Sequence, residues 1–116
     1  MIPLPQRFFE LPFAHRGFHG LAGPENSWSS FQAAIDAGYG IELDVQLSAD
    51  DQAVVFHDYE LDRLTSKTGL VRDLPAAALR STKLTNGTDG IDALGPVLDR
   101  IGGRVPVLIE LKDQSR

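Results

Sequence analysis

An α/β fold with largely parallel strands is what this sequence predicts, and three observations carry that expectation. Strand-like and helix-like segments alternate along it, in the order strand, helix, strand, strand, loop and helix, strand. The segment "VPVLIELK", residues 105–112, is a near-continuous apolar run, the pattern of a buried strand. The length of 116 residues suits one ordinary domain, and a composition 42% apolar and 23% charged is that of a packed, ordered chain.

The elements follow in order. Residues 1–12 form an irregular lead-in broken by Pro3, Pro5 and Pro12. "FAHRG" is a short strand that stops at Gly17, and "FHGLAGPENS" is a loop whose Asn26 or Ser27 can cap the next helix. In that helix Trp28, Phe31 and Ile35 make one apolar face, and Gly38 ends it. "GIELDVQL" and "AVVFHD" are strands separated only by "SADDQ", too short for a crossover helix, so the pair is a hairpin or a strongly bent strand. Residues 59–90 are polar and rich in turn formers, with a short helix around Pro75 to Arg80. "IDALGPVLDRIGG" is a helix whose start Gly95 and Pro96 are expected to delay. The sequence stops four residues after its last strand, in "DQSR", and as an α/β unit it looks unfinished.

A formal charge of -5 argues against nucleic acid or an anionic membrane surface as the main partner. An anionic substrate would then need locally placed cations or a metal. The absence of cysteine removes disulfides, thiolate metal sites and thiol catalysis. No segment approaches the ~18 apolar residues of a membrane span. The stretch "MIPLPQRFFELPF" has prolines and charges where a secretory signal needs an unbroken apolar run, so a cytoplasmic location is expected.

The chemistry-bearing residues concentrate on the strands. Period-two geometry sends Glu42 and Asp44 to one face, with Leu43 and Val45 on the other. Their Cβ atoms lie ~6.5–7 Å apart, close enough to repel unless a cation sits between them, and hard divalent ions favour such oxygens. Two ordinary acids on a solvated strand face are the plainer alternative. If "SADDQ" turns the chain, His57 folds back beside Leu43 and Asp44, where an imidazole can serve as acid or base. Asp58 caps the strand end or orients that imidazole, and the cap is the expectation. Glu110 and Lys112 share a face of the last strand, as a simple ion pair or as a further metal ligand and a phosphate contact. "HRG" places a histidine and a guanidinium suited to bidentate phosphate capture at a strand end. His19, in the loop beyond, is a surface residue.

Taken in order and spacing, "HRG", "PENS", "IELDVQLSADDQAVVFHD" and "IELK" closely resemble the glycerophosphodiester phosphodiesterases, from about Phe13 to Lys112. The resemblance implies a TIM-type (β/α)8 barrel of the phospholipase-C-like phosphodiesterase kind, with one divalent cation, Mg²⁺ or Ca²⁺, at the carboxyl ends of its strands. By motif position Glu42, Asp44 and Glu110 correspond to the metal ligands, and His15 and His57 to the acid/base pair. Arg16 and Lys112 correspond to the phosphate-binding cations, and Glu25 and Asn26 to a supporting element. Residues 59–90 correspond to the family's insertion. Departures are Ser27 where threonine is usual, "DAL" for "PTL" before the last helix, and "SADD" for an acid-glycine turn; none touches the proposed ligands. A TIM barrel needs roughly 200–250 residues, so residues 1–116 correspond to about its first half.

The reaction so implied is metal-dependent hydrolysis of a small glycerophosphodiester to glycerol 3-phosphate and an alcohol, with His15 as base and His57 as acid. A related enzyme acting on lysophospholipids would share every motif. A half-barrel that only binds metal or phosphate, or assembles with another chain, is the reading from a different class. In a half-barrel the last strand keeps an unpaired edge, through which self-association is expected.

Overall fold

The computed structural model describes residues 11–20 and 22–114. Most of the irregular lead-in expected over residues 1–12 therefore lies outside the described residues. The elements are β1 (Phe13–His15), α1 (Trp28–Asp36), β2 (Gly40–Leu47), β3 (Ala53–Val55), a 3-10 turn (Val71–Asp73), α2 (Ala76–Arg80), α3 (Leu94–Ile101) and β4 (Val107–Leu111).

β2 is the centre of a mixed sheet. β1 pairs parallel to it with His15 opposite Glu42, and β4 pairs parallel with Glu110 opposite Asp44. β3 returns antiparallel with Val55 opposite Val45, so "SADDQ" makes a hairpin. Even-numbered residues of β2 bond in one direction, Gly40 donating to the Pro12 carbonyl and Asp44 accepting from Phe56. Odd-numbered residues bond in the other, Ile41 donating to Pro106 and Val45 accepting from Lys112. Thus β1 and β3 occupy one edge of β2 in succession, and β4 occupies the other.

The apolar side chains of β2 decide which face is covered. Ile41, Leu43 and Val45 pack with Phe31 and Ala34 of α1 and with Val97 and Ile101 of α3. Glu42, Asp44 and Gln46 are sent to the opposite face by the same pleat. α1 forms where expected: Ser27 caps it by accepting from the Ser30 amide, and Gly38 follows its end with φ 76°. α3 starts at Leu94, before Gly95 and Pro96. The expected delay is absent because a proline in the first helical turn lacks only a donor that would have no intrahelical partner.

Residues 59–90 lack long elements, as their composition predicts, yet they are packed. Leu61, Val71, Leu79 and Leu84 join Val54, Phe56 and Ile91 in a second core. The short helix expected near Pro75 is α2, with Pro75 at its N-cap.

β4 corrects one expectation. A buried strand was predicted, but Leu108 is 51%, Ile109 38% and Leu111 77% exposed. β2 protects one edge of β4, and among the described residues no strand lines the other. A strand buried on both faces needs a layer over each.

Candidate active site

The even face of β2 and the adjoining face of β4 bring three acids together. Glu42, Asp44 and Glu110 each offer a carboxylate oxygen, and these oxygens lie within 4.8 Å of one another. Asp44 is fully buried, whereas Glu110 is largely exposed. Burial, then the charge of Asp44, pushes the Glu42 carboxyl above its usual range; Glu110 adds to this and His15 opposes it. Glu42 Oε1 and Asp44 Oδ1 are buried, with no hydrogen-bond donor among the described residues. Unpartnered buried carboxylate oxygens are costly, and two of them beside a third acid fit the donor set that hard divalent cations take. Lys112 Nζ lies 4.0 Å from Glu110 Oε1, so the simple ion pair exists beside the cluster.

The turn after β1 delivers the second group. His15 Nε2 lies 3.6 Å from Glu42 Oε2. Arg16 adopts a left-handed backbone with φ 57°, and Gly17 follows with φ 83°. A Cβ at Gly17 would sit 2.3 Å from Ser30 Oγ, so α1 packs against a turn that only glycine can make. Arg16 Nη1 donates to Glu25 Oε2 at 3.0 Å, and its Nε lies 3.5 Å from Asp44 Oδ2. Asn26, also left-handed at φ 56°, donates its amide to the Arg16 carbonyl at 2.8 Å. Its Nδ2 donates to Asp44 Oδ2 at 3.0 Å. Glu25 thus bonds to Arg16, and Asn26 to both the Arg16 backbone and Asp44.

The end of β3 delivers the third. Phe56 donates to the Asp44 carbonyl at 3.0 Å, which sets His57 one residue beyond the acid. Asp58 does not cap the strand. The strand stops at Val55, and Gln46 Nε2 donates to the carbonyls of Phe56 and Asp58 at 2.9 and 2.7 Å. With those backbone groups satisfied, the Asp58 carboxylate meets His57 Nδ1 at 2.8 Å. Arg63 grips Asp58 from the other side, Nε to Oδ2 at 2.8 Å and Nη2 to Oδ1 at 3.0 Å. It also grips Glu25, Nη1 to Oε1 and Nη2 to Oε2, each at 3.0 Å. The Arg63 hydrogen bonds hold the Asp58 carboxyl down at about 2 despite partial burial, with His57 assisting. Burial would raise Glu25, but the Arg63 hydrogen bond and the charges of both arginines outweigh it and hold it low.

His57, Asp58, Tyr59, Glu60 and Lys112 line a cleft of about 280 Å³, so the second histidine and the lysine share one wall of the site. His19 is exposed, as predicted. Gln46 and Arg63 were missed by sequence reasoning. Gln46 carried a signal, since it continues the 42, 44 alternation; Arg63, one of several cations in a turn-rich segment, carried none.

An α/β sheet whose parallel strands carry acids, a histidine and cations to one end has the layout of part of a TIM-type barrel, where sites form at the carboxyl ends of strands. Residues 15–114 match the glycerophosphoryl diester phosphodiesterase family, and the chain belongs to it. YhdW of Bacillus subtilis is 41% identical over 108 residues, covering 85% of this chain and 43% of its own length. A glycerophosphodiester phosphodiesterase of Bacillus altitudinis is 37% identical over 107 residues, covering 86% of this chain and 43% of its own. Among solved structures, a glycerophosphodiester phosphodiesterase from Agrobacterium tumefaciens superposes with a TM-score of 0.83 at 33% identity, over 89% of this chain and 47% of that one. An Oleispira antarctica phosphodiesterase in complex with the product sn-glycerol-3-phosphate gives 0.79 at 34% identity, over 91% and 47%. The chain thus spans somewhat under half the length of these relatives. The α/β, part-of-a-barrel expectation is borne out.

Proposed function

We propose that this chain carries the reactive half of a site that hydrolyses glycerophosphodiesters to an alcohol and glycerol 3-phosphate. The observation that carries the reading is the cluster of Glu42, Asp44 and Glu110, with two orphaned buried oxygens, set beside His15 and Arg16. The three acids would hold one divalent cation, Mg²⁺ or Ca²⁺, which when bound would polarise a phosphoryl oxygen and acidify a hydroxyl. Arg16 and Lys112 would hold the phosphate and offset the charge that develops on it.

The attacking group is the glycerol hydroxyl next to the ester. His15 takes its proton as the oxygen bonds to phosphorus, and His57 gives a proton to the departing alcohol. The resulting cyclic phosphate is opened by water with the two proton transfers reversed, which returns both histidines to their starting states. The Oleispira relative with bound sn-glycerol-3-phosphate supports this product. The test is incubation with glycerophosphocholine and Mg²⁺ or Ca²⁺, with coupled detection of glycerol 3-phosphate. Release that requires the cation and is lost in Asp44→Asn is expected; cation-independent release would overturn the proposal.

A second reading rests on the open edge of β4 and its exposed Leu108, Ile109 and Leu111. In it the chain binds cation or phosphate and assembles with another chain before any turnover occurs.

A further inference from the structure

The two halves of the site are joined by a residue that belongs to neither. Arg63 sits on a turn made firm by its neighbours: Leu61 is fully buried, and its carbonyl accepts from the Thr65 amide and hydroxyl at 3.0 and 2.9 Å. The Leu64 carbonyl accepts from Thr85 at 2.7 Å. From that base the guanidinium donates bidentately to Asp58 and bidentately to Glu25. Both inner edges of its fork are thereby engaged with carboxylates, and bidentate pairs of this kind fix orientation as well as position. Glu25 passes the connection to Arg16, and Asp58 passes it to His57.

We propose that Arg63 is a positioning residue for His57: by fixing the Asp58 carboxylate on Nδ1 it makes Nε2 the nitrogen that exchanges a proton with substrate. An ionised carboxylate can only accept, so Nδ1 must carry the hydrogen in the neutral ring. Asp58 is ionised throughout the neutral range, and the Arg63 hydrogen bonds hold its carboxyl down at about 2 and fix where it points. The imidazole is thus locked in one tautomer and one plane, the service an orienting acid performs in hydrolytic triads. Arg63 itself, with its fork committed to two acids, is not a phosphate ligand.

The inference rests on the phosphodiesterase reading for its purpose, but its test does not. Long-range proton–nitrogen correlation spectra of ¹⁵N-labelled protein report the His57 tautomer without turnover. The Nδ1–H form is expected in the wild-type protein. Arg63→Met and Arg63→Lys are both expected to move the ring toward the Nε2–H form, the lysine less, since it keeps the charge without the fork and spares the fold. An Nε2–H ring in the wild type, or an unchanged tautomer in Arg63→Lys, would overturn the inference. In glycerophosphocholine hydrolysis, Asp58→Asn leaves the Arg63–Glu25 link in place and is expected to lower kcat by up to ~10⁴-fold at constant KM, the cost of the wrong tautomer when an orienting acid becomes its amide. A raised KM at unchanged kcat would contradict a positioning role. Wild-type protein that shows the Nδ1–H ring and no hydrolysis would defeat the proposed reaction while upholding the positioning.

Discussion

Replacing Asp44 with asparagine should separate the stability of the site from its affinity for a cation. Asp44 is fully buried and accepts from Asn26 Nδ2, a bond that an asparagine Oδ1 preserves. Two charge terms then change in opposite senses. Repulsion from Glu42 and from Glu110, each across at most 4.8 Å, amounts to about 7 kcal/mol in all at an effective dielectric of ~20, less for the exposed Glu110, and is removed. Attraction to Arg16 Nε, across 3.5 Å, amounts to about 5 kcal/mol on the same scale and is also removed. These nearly cancel, so the cation-free variant should unfold within about 1–2 kcal/mol of wild type. Cation binding should not be spared. With the oxygen kept on Asn26, the new amide NH₂ points where Oδ1 was, and breaking a buried charge pairing costs about 3–5 kcal/mol, or at least ~100-fold in Kd.

Thermal unfolding with and without Mg²⁺ or Ca²⁺ reads both quantities. At a concentration of 100 times the wild-type Kd, the ion stabilises wild type by about 2.7 kcal/mol, or about 10–20 °C in Tm for a chain this size. With Kd raised ~100-fold the same concentration gives about 0.4 kcal/mol, or about 2–3 °C. Equal Tm shifts in both proteins would show that Asp44 is no ligand, and the account of the acid cluster would fail.

In glycerophosphodiester hydrolysis His57→Ala should lower kcat by roughly 10²–10⁴-fold, whereas Arg16→Ala should raise KM as well; steady-state kinetics separate them, and an unaltered KM in the arginine variant would mean Arg16 does not hold phosphate. Asp58 and Glu25 have depressed folded-state values, so their contribution to stability is complete above roughly pH 4, the unfolded carboxylate range, and drains away as pH falls through about 2 for Asp58. Glu42, raised by burial and by Asp44, works in the opposite sense and favours the folded state when protonated. Urea unfolding across pH 2–5 on Arg63→Met should show a shallower acid loss than wild type; identical slopes would remove Arg63 from that linkage. Leu111→Lys, at a side chain 77% exposed on β4, should weaken self-association in sedimentation velocity without lowering the unfolding midpoint, and association that persists would place the contact elsewhere.

The strands, the helices and the acid cluster were legible because period-two and period-3.6 patterns act over a few residues. Glu42 and Asp44 had to share a face once Ile41, Leu43 and Val45 faced the helices. The five residues between β2 and β3 forced the hairpin, and with it the placement of His57 beside Asp44. What failed depended on contacts distant in sequence. Asp58 was assigned to the strand end because nothing local reveals that Gln46 already satisfies the backbone there. Arg63 reaches Glu25 across 38 positions, a separation no periodicity reports. β4 read as buried because hydrophobicity records the environment a strand suits, while exposure depends on which neighbours are at hand.

β3 has a consequence that reaches beyond its three residues. Its side chains alternate between the two cores: Ala53 and Val55 face the one under α1 and α3, and Val54 faces the one formed with residues 61–91, which Phe56 joins just beyond the strand. A strand that serves as the common wall of two apolar clusters couples their melting, since opening either one strips packing from the same three residues. Amide exchange in the 59–90 segment and in the second half of β2 should therefore slow and quicken together, as one cooperative unit. The segment that carries none of the three acids and lies between their strands in chain order would then govern how often His57 is in place at all.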